Sequence, residues 1–314
     1  MGQFYISAPV DEVQLAEQVA PRVAALAGEL PDNAQLLNLT RTGSNDLATM
    51  LLYQAILASP RHASFIQALE QEAVSTSHTP VKAMVLIIPA LFHGHYPETG
   101  ADAEFAAAIA RVCGFAAARI PTKSLGTIRD NAAIIRATLE AETAEKIWIF
   151  SVSKGSGEFR TFLQLYPDSP AIGKIAGWIN ACGLPRGSQI GDVNSGTLWT
   201  RLKYRAICRL LGTRFEMVRE LRTDHPFWQQ PLQLPAHMQV FNFCAIPLGS
   251  HIQTSLISRY LALQPLGPND GMVLCRDSII EQGLIYPVWG CDHFFRSPLV
   301  VPLLYRFFSY LRRQ

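Results

Sequence analysis

The sequence has no apolar run near the roughly 20 residues that a membrane-spanning helix needs. The longest, Ala83 to Phe92, contains Pro89. The chain is therefore expected to be soluble, or at most peripheral. Its six cysteines, at 113, 182, 208, 244, 275 and 291, include no C-x-x-C pair, which argues against a zinc site or a redox dithiol. They read as buried, reduced thiols, and a cytoplasmic location is expected. Met1-Gly2-Gln3-Phe4-Tyr5-Ile6 lacks the basic start and apolar run of a secretory signal, and Ile6 stands where myristoylation requires Ser or Thr. Charge of one sign is also lacking: 27 basic residues face 25 acidic ones, a net of +2. That gives no whole-molecule grip on nucleic acid, so no nucleic-acid partner is expected, and an anionic partner would have to be met by a local patch. With 49% hydrophobic and 17% charged residues, disordered, collagen-like and coiled-coil classes are excluded.

What is present is enough for a large core. A chain of 314 residues makes one large domain or two smaller ones, and needs no disulfide or metal staple. Residues 1–80 read as a helical segment. Asp11 and Gln14 are spaced for a capping box, ahead of Leu15, Val19, Val23 and Leu26 at near-helical intervals. Ser44 is placed to cap a second helix with Leu47, Met50, Leu51 and Ile56. Ser59-Pro60 ends it and starts a third with Phe65, Ile66 and Leu69. Ser75 to Pro80 reads as a polar linker, and nothing in this segment points to chemistry.

From residue 81 the pattern changes. Apolar runs at 83–88, 115–120, 147–150, 175–181, 239–243 and 284–288 alternate with amphipathic stretches. One helix is expected from about Asp102, one capped by Ser124, one carrying Phe159, Phe162 and Leu163, and a last one from Leu299 to Leu311. Strands alternating with helices mean βαβ units and a parallel sheet. The expected fold class is α/β, a mostly parallel sheet flanked by helices, with core 81–314 and an insertion at 184–235. That insertion holds eight basic residues against four acidic ones. It reads as a helical layer with a solvated basic face. Alternatively it is a cap whose arginines meet a phospholipid surface, the phosphates of coenzyme A or an acidic carrier.

The chemistry concentrates where the run Ile147–Phe150 meets Ser151-Val152-Ser153-Lys154-Gly155. A small-x-Ser-x-Gly string between strand and helix makes a turn too tight for larger side chains, and lifts the serine above the sheet at a helix N-terminus. The plainer alternative is an ordinary strand-to-helix turn with Ser153 as a cap. A serine nucleophile needs a base. Of eight histidines, His293, in Gly290-Cys291-Asp292-His293-Phe294, follows the last strand. His62, His78, His225, His237 and His251 lack that context. A carboxylate is sought between the two, and Asp270 in the turn Gly267-Pro268-Asn269-Asp270-Gly271 is the first candidate, with Asp277 and then Asp292 behind it. Oxyanion donors would be the backbone N–H groups of Lys154 and, after the first strand, of Leu91. His93 and His95 form an H-x-H pair, but no carboxylate or cysteine at ligand spacing completes it, so no metal and no cofactor is expected.

Taken together, these segments resemble the α/β-hydrolase superfamily, in particular its lipase- and esterase-like members, over about residues 81–314. Pro89-Ala90-Leu91 stands for the oxyanion loop and Ser151–Gly155 for the nucleophile elbow. Gly183–Ser188 resembles a stretch many lipase-like members carry after the next strand. Asn269-Asp270-Gly271-Met272-Val273 resembles their acid loop and Asp292-His293-Phe294 their histidine loop. Ser151 and Ala90 depart from the usual glycines. The resemblance implies Ser153 as nucleophile, His293 as general base and acid, Asp270 as orienter, and hydrolysis of esters or thioesters of a small-molecule or lipid acyl group. An acyltransferase with the same triad, or a binding protein without catalysis, remains open, as does the oligomeric state.

Overall fold

A computed structural model describes residues 10–74, 79–96 and 99–314; Met1–Ile6 and positions 75–78 of the expected linker lie outside them. The apolar runs become β1 (Met84–Ile88), β2 (Ala116–Arg119), β3 (Ile147–Val152), β4 (Ile175–Ala181), β5 (Gln239–Ile246) and β6 (Leu284–Trp289). All pair in parallel in the order β2-β1-β3-β4-β5-β6. Every residue of β3 is buried, because a parallel sheet is covered on both faces and alternate side chains enter different cores. On one face Val85, Ile87, Trp148, Phe150, Phe241 and Phe243 pack beneath Phe307 and Phe308. On the other, Leu86, Ile88, Ile149 and Trp178 meet Ile135, Leu139, Phe159 and Phe162.

The helices, in chain order, are α1 (Glu12–Ala25), α2 (Asn33–Thr42), α3 (Asn45–Ala58), α4 (Pro60–Glu70), α5 (Glu104–Val112), α6 (Ile128–Ala141) and α7 (Lys154–Leu165). After β4 come α8 (Gln189–Ser195), α9 (Leu198–Leu210), α10 (Glu216–Glu220) and α11 (Pro226–Gln229), then α12 (Ile257–Leu263) and α13 (Val300–Leu311). Among the described residues, no helix is long and apolar enough to cross a membrane.

Local chemistry departs from the sequence reading in three places. Asp11 caps α1 by accepting from the Val13 and Gln14 N–H groups, but the reciprocal capping box forms one helix later. There Asp32 Oδ1 accepts from Gln35 N–H and Gln35 Oε1 from Asp32 N–H. That second start belongs to α2, a ten-residue helix absent from the sequence reading, with only Leu36 and Leu39 buried. Finally, α6 is capped by Thr127, whose Oγ1 accepts from Asp130 N–H, while Ser124 Oγ accepts from Gly94 N–H.

The N-terminal helices pack on the last strands. Leu15, Val19, Leu51 and Ile56 share one core with Cys244, Ile246, Cys275 and Ile285. Tyr53 lies with its ring 4.4 Å from that of Trp289, and Asn45 Nδ2 donates to Tyr260 Oη at 2.9 Å.

Candidate active site

Strand order places the site. From β1 the chain moves outward to β2, then crosses back to β3 and continues the other way. The loops leaving β1 and β3 therefore part at their C-terminal ends and open a crevice, the place where ligands bind in open parallel sheets. Pro89–Leu91 leaves from one side of that crevice and Ser153 from the other.

Ser153 has φ +52° and ψ −121°, a left-handed conformation that non-glycine residues adopt at a cost and mostly at functional turns. The turn is so tight that α7 starts against the end of β1. A Cβ on Gly155 would lie 2.6 Å from the Ile88 carbonyl oxygen and 2.9 Å from that of Pro89, so only glycine fits there. Ser151, where the family pattern has glycine, is fully buried and satisfied. Its Oγ lies 2.7 Å from Ser156 Oγ and accepts from Trp178 Nε1 at 2.7 Å.

Ser153 Oγ lies 2.8 Å from His293 Nε2, and His293 Nδ1 lies 2.8 Å from Asp270 Oδ2. All three residues are buried. A carboxylate facing Nδ1 assigns the proton to that nitrogen, leaving Nε2 to accept from the serine hydroxyl. Asp270 is itself held: Oδ1 accepts from Met272 N–H at 2.9 Å and Val273 N–H at 3.0 Å. The backbone adds a second tie, with His293 N–H donating to the Asp270 carbonyl at 3.0 Å. The acid turn and the histidine loop are thus joined through both main chain and side chain.

The other candidates have different work. Asp277 accepts from Asn33 Nδ2 at 2.8 Å and Gln189 Nε2 at 2.6 Å, tying α2 to the start of α8. Asp292 accepts from the N–H groups of Gln253 and Phe294, and burial pushes its carboxyl above the usual range. His93 Nδ1 lies 2.9 Å from the Ala90 carbonyl and His95 Nδ1 lies 3.1 Å from Ser124 Oγ, so the two rings have separate partners. His62 is buried in α4 and pushed down to about 4 by that burial. His251 sits 3.4 Å from Glu12 and His237 3.3 Å from the Ile172 carbonyl, both outside the triad. His225 caps α11, and His78 lies outside the described residues.

Lys154 is the first residue of α7, and the first N–H groups of a helix have no partner within it. Among the described residues, neither Lys154 N–H nor Leu91 N–H has a backbone acceptor outside its own element. The Lys154 side chain does something the sequence did not signal. It is 2% exposed, and its Nζ contacts Glu158, 1% exposed, whose Oε1 also accepts from Asn131 Nδ2 at 2.6 Å. Burial pushes the Glu158 carboxyl up.

The insertion covers the loop that carries Leu91. Leu91 packs with Cys208, Met217 and Val218 of α9 and α10. Glu220 reaches across to the Ile128 N–H at the N-terminus of α6, where the helix dipole favours a negative charge. Burial nonetheless pushes its carboxyl up, with the Ile128 and Arg129 N–H groups pulling the other way. Arg160 of α7 fastens the rest, donating to the carbonyls of Pro185 and Trp228 at 2.6 and 3.3 Å.

Three-dimensional comparison decides the fold. The metagenomic carboxyl esterase MGS0156 superposes with a TM-score of 0.56, at 20% identity over 77% of this chain and 76% of its own. The chain has the α/β-hydrolase fold. Bacillus licheniformis lipase BlEst2 in its mature form gives a TM-score of 0.53, at 20% identity over 70% of this chain and 89% of that one. No family model and no curated protein matches the sequence. The elbow at Ser153 follows β3, the turn at Asp270 lies between β5 and β6, and the loop of His293 follows β6. Such fold likeness does not by itself assign a reaction.

Proposed function

We propose that the protein is a serine hydrolase that cleaves carboxylic esters or thioesters of a small-molecule or lipid acyl group through an acyl-enzyme on Ser153. The observation that carries this reading is the continuous hydrogen-bonded relay from Ser153 Oγ through the His293 ring to Asp270, 2.8 Å at each link. The esterase and the lipase named above support an ester as the substrate class.

In this reading Ser153 Oγ attacks the acyl carbonyl as His293 Nε2 takes its proton. Asp270 keeps the Nδ1 proton in place and stabilises the imidazolium that forms. The N–H groups of Lys154 and Leu91 hold the developing oxyanion, helped by the N-terminal dipole of α7. Collapse breaks the bond to the leaving group, which departs with the proton from His293. Water then attacks the acyl-enzyme by the same route and frees the acid. The pre-set φ of Ser153 means that no backbone rearrangement is needed to present the hydroxyl.

The test is a fluorophosphonate probe together with hydrolysis of a short p-nitrophenyl ester. The wild-type protein takes up the probe and turns over the ester. Ser153→Ala loses labelling, and its turnover falls by roughly 10⁴ or more. Unchanged turnover in that variant places the chemistry elsewhere.

A further inference from the structure

From Val193 to Phe215 the chain has no acidic residue and five basic ones, Arg201, Lys203, Arg205, Arg209 and Arg214. Most of this stretch is α9, a helix with a single buried residue, Cys208. What it presents to solvent is unusual for a surface helix. Leu198 is 69% exposed, Trp199 81% and Leu210 88%, with Leu202 and Leu211 also exposed. At about 100° per residue, Leu198, Leu202, Ala206, Trp199 and Leu210 share one arc of about 120°. Arg201 and Arg205 border that arc on one side and Lys203 on the other, with Arg209 in its last turn. Arg201 and Arg205 also line a hollow of about 380 Å³ with Arg219 and Arg222, where the carboxylate in the lining, Asp224, is forked by Arg222.

We infer that α9 is a docking surface for an anionic phospholipid bilayer, lying in its plane with Trp199, Leu198, Leu202 and Leu210 among the acyl-chain ends of the headgroups. A helix with an outward apolar arc, edged on both sides by long basic side chains, matches that boundary: the apolar tips leave water while the cations stay at headgroup level. Tryptophan, apolar with one polar N–H, suits the same depth. A second copy of the chain fits less well, because a two-fold contact through α9 would set its cations against the same cations. The hollow lined by arginines lies beside the arc and receives a lipid phosphate. Leu91 packs at Cys208 on the opposite, inward face of α9, so the helix stands between the docked surface and the candidate oxyanion loop. Docking rests on this surface alone and not on the acyl chemistry, so the two readings fail separately.

The test is co-sedimentation of the full chain with vesicles of phosphatidylcholine containing phosphatidylglycerol, and with phosphatidylcholine alone. The wild type binds the anionic vesicles, weakly or not at all the neutral ones, and added salt releases it. Trp199→Ser with Leu210→Ser lowers the affinity at least about tenfold, and Lys203→Gln and Arg209→Gln each by about fivefold. These side chains are exposed, so the melting temperature stays within error of wild type, and Ser153→Ala binds as wild type does. Absence of binding to anionic vesicles at low salt overturns the inference, as does unchanged binding by the Trp199→Ser, Leu210→Ser variant. So does a concentration-dependent dimer that this variant abolishes while vesicle binding is absent.

Discussion

Lys154 and Glu158, one helical turn apart in α7, form an ion pair buried beneath the candidate oxyanion site. A solvated i, i+4 pair contributes a few tenths of a kcal/mol, but a buried one is a different object. Removing one partner strands the other charge, at about 3–5 kcal/mol. Lys154→Met is therefore expected to lower stability strongly, and more so at higher pH, because protonation of Glu158 relieves the stranded charge. Lys154→Met combined with Glu158→Gln, which keeps the bond from Asn131, recovers most of the loss. The proposed oxyanion donor at this position is a backbone N–H, so the double variant is expected to keep kcat/KM within a few-fold of wild type. Thermal melts and ester hydrolysis measure both; a double variant as unstable as the single one contradicts this view of the pair.

Three carboxylates compete for the orienting role, and their hydrogen bonds separate them. Asp270→Asn removes the acceptor that holds the Nδ1 proton, and kcat is expected to fall by roughly 10⁴ with a small change in melting temperature. Asp277→Asn weakens the ties to Asn33 and Gln189 and should lower the melting temperature while leaving kcat within a few-fold. The reverse pattern would assign the role to Asp277.

Glu220 makes a prediction in pH. Its folded carboxyl holds the proton more tightly than the unfolded one, so the native state binds more protons between the two pKa values. Stability from this group is present below the unfolded value of about 4.3 and is lost as pH rises from there through the folded value. Glu220→Gln cannot ionise and keeps an oxygen for the Ile128 N–H. Its melting temperature relative to wild type is therefore expected to rise between about pH 4 and pH 7. A difference that is constant with pH contradicts the role of burial here.

The features readable from the sequence are those whose cause is local. A strand covered on both faces has to be apolar at consecutive positions, as Ile147–Phe150 is, and a strand-to-helix turn as tight as that at Ser153 has to have small neighbours. The Asn269-Asp270-Gly271 turn was legible for the same reason, since its shape follows from its own side-chain bonds. The same turn put Asp270 ahead of Asp277, but the bonds that engage Asp277 elsewhere were not legible, because its partners Asn33 and Gln189 are remote in the chain. Lys154 and Glu158 stand at a spacing that ordinarily marks a solvated helix face, and burial reverses its meaning. Thr127 rather than Ser124 caps α6 although both are capping residues; Gly126 lies between them, outside the helix. The outward face of α9 illustrates the opposite limit: leucine and tryptophan at helical spacing read as core, and only their exposure shows that they face solvent.

The most direct measurement is mass spectrometry of the protein quenched during turnover of a p-nitrophenyl ester, with the modified peptide sequenced. The expected result is one acyl group added per chain, located on Ser153 and absent from Ser153→Ala. An acyl group on another residue, or turnover by Ser153→Ala equal to that of wild type, contradicts a nucleophilic role for Ser153.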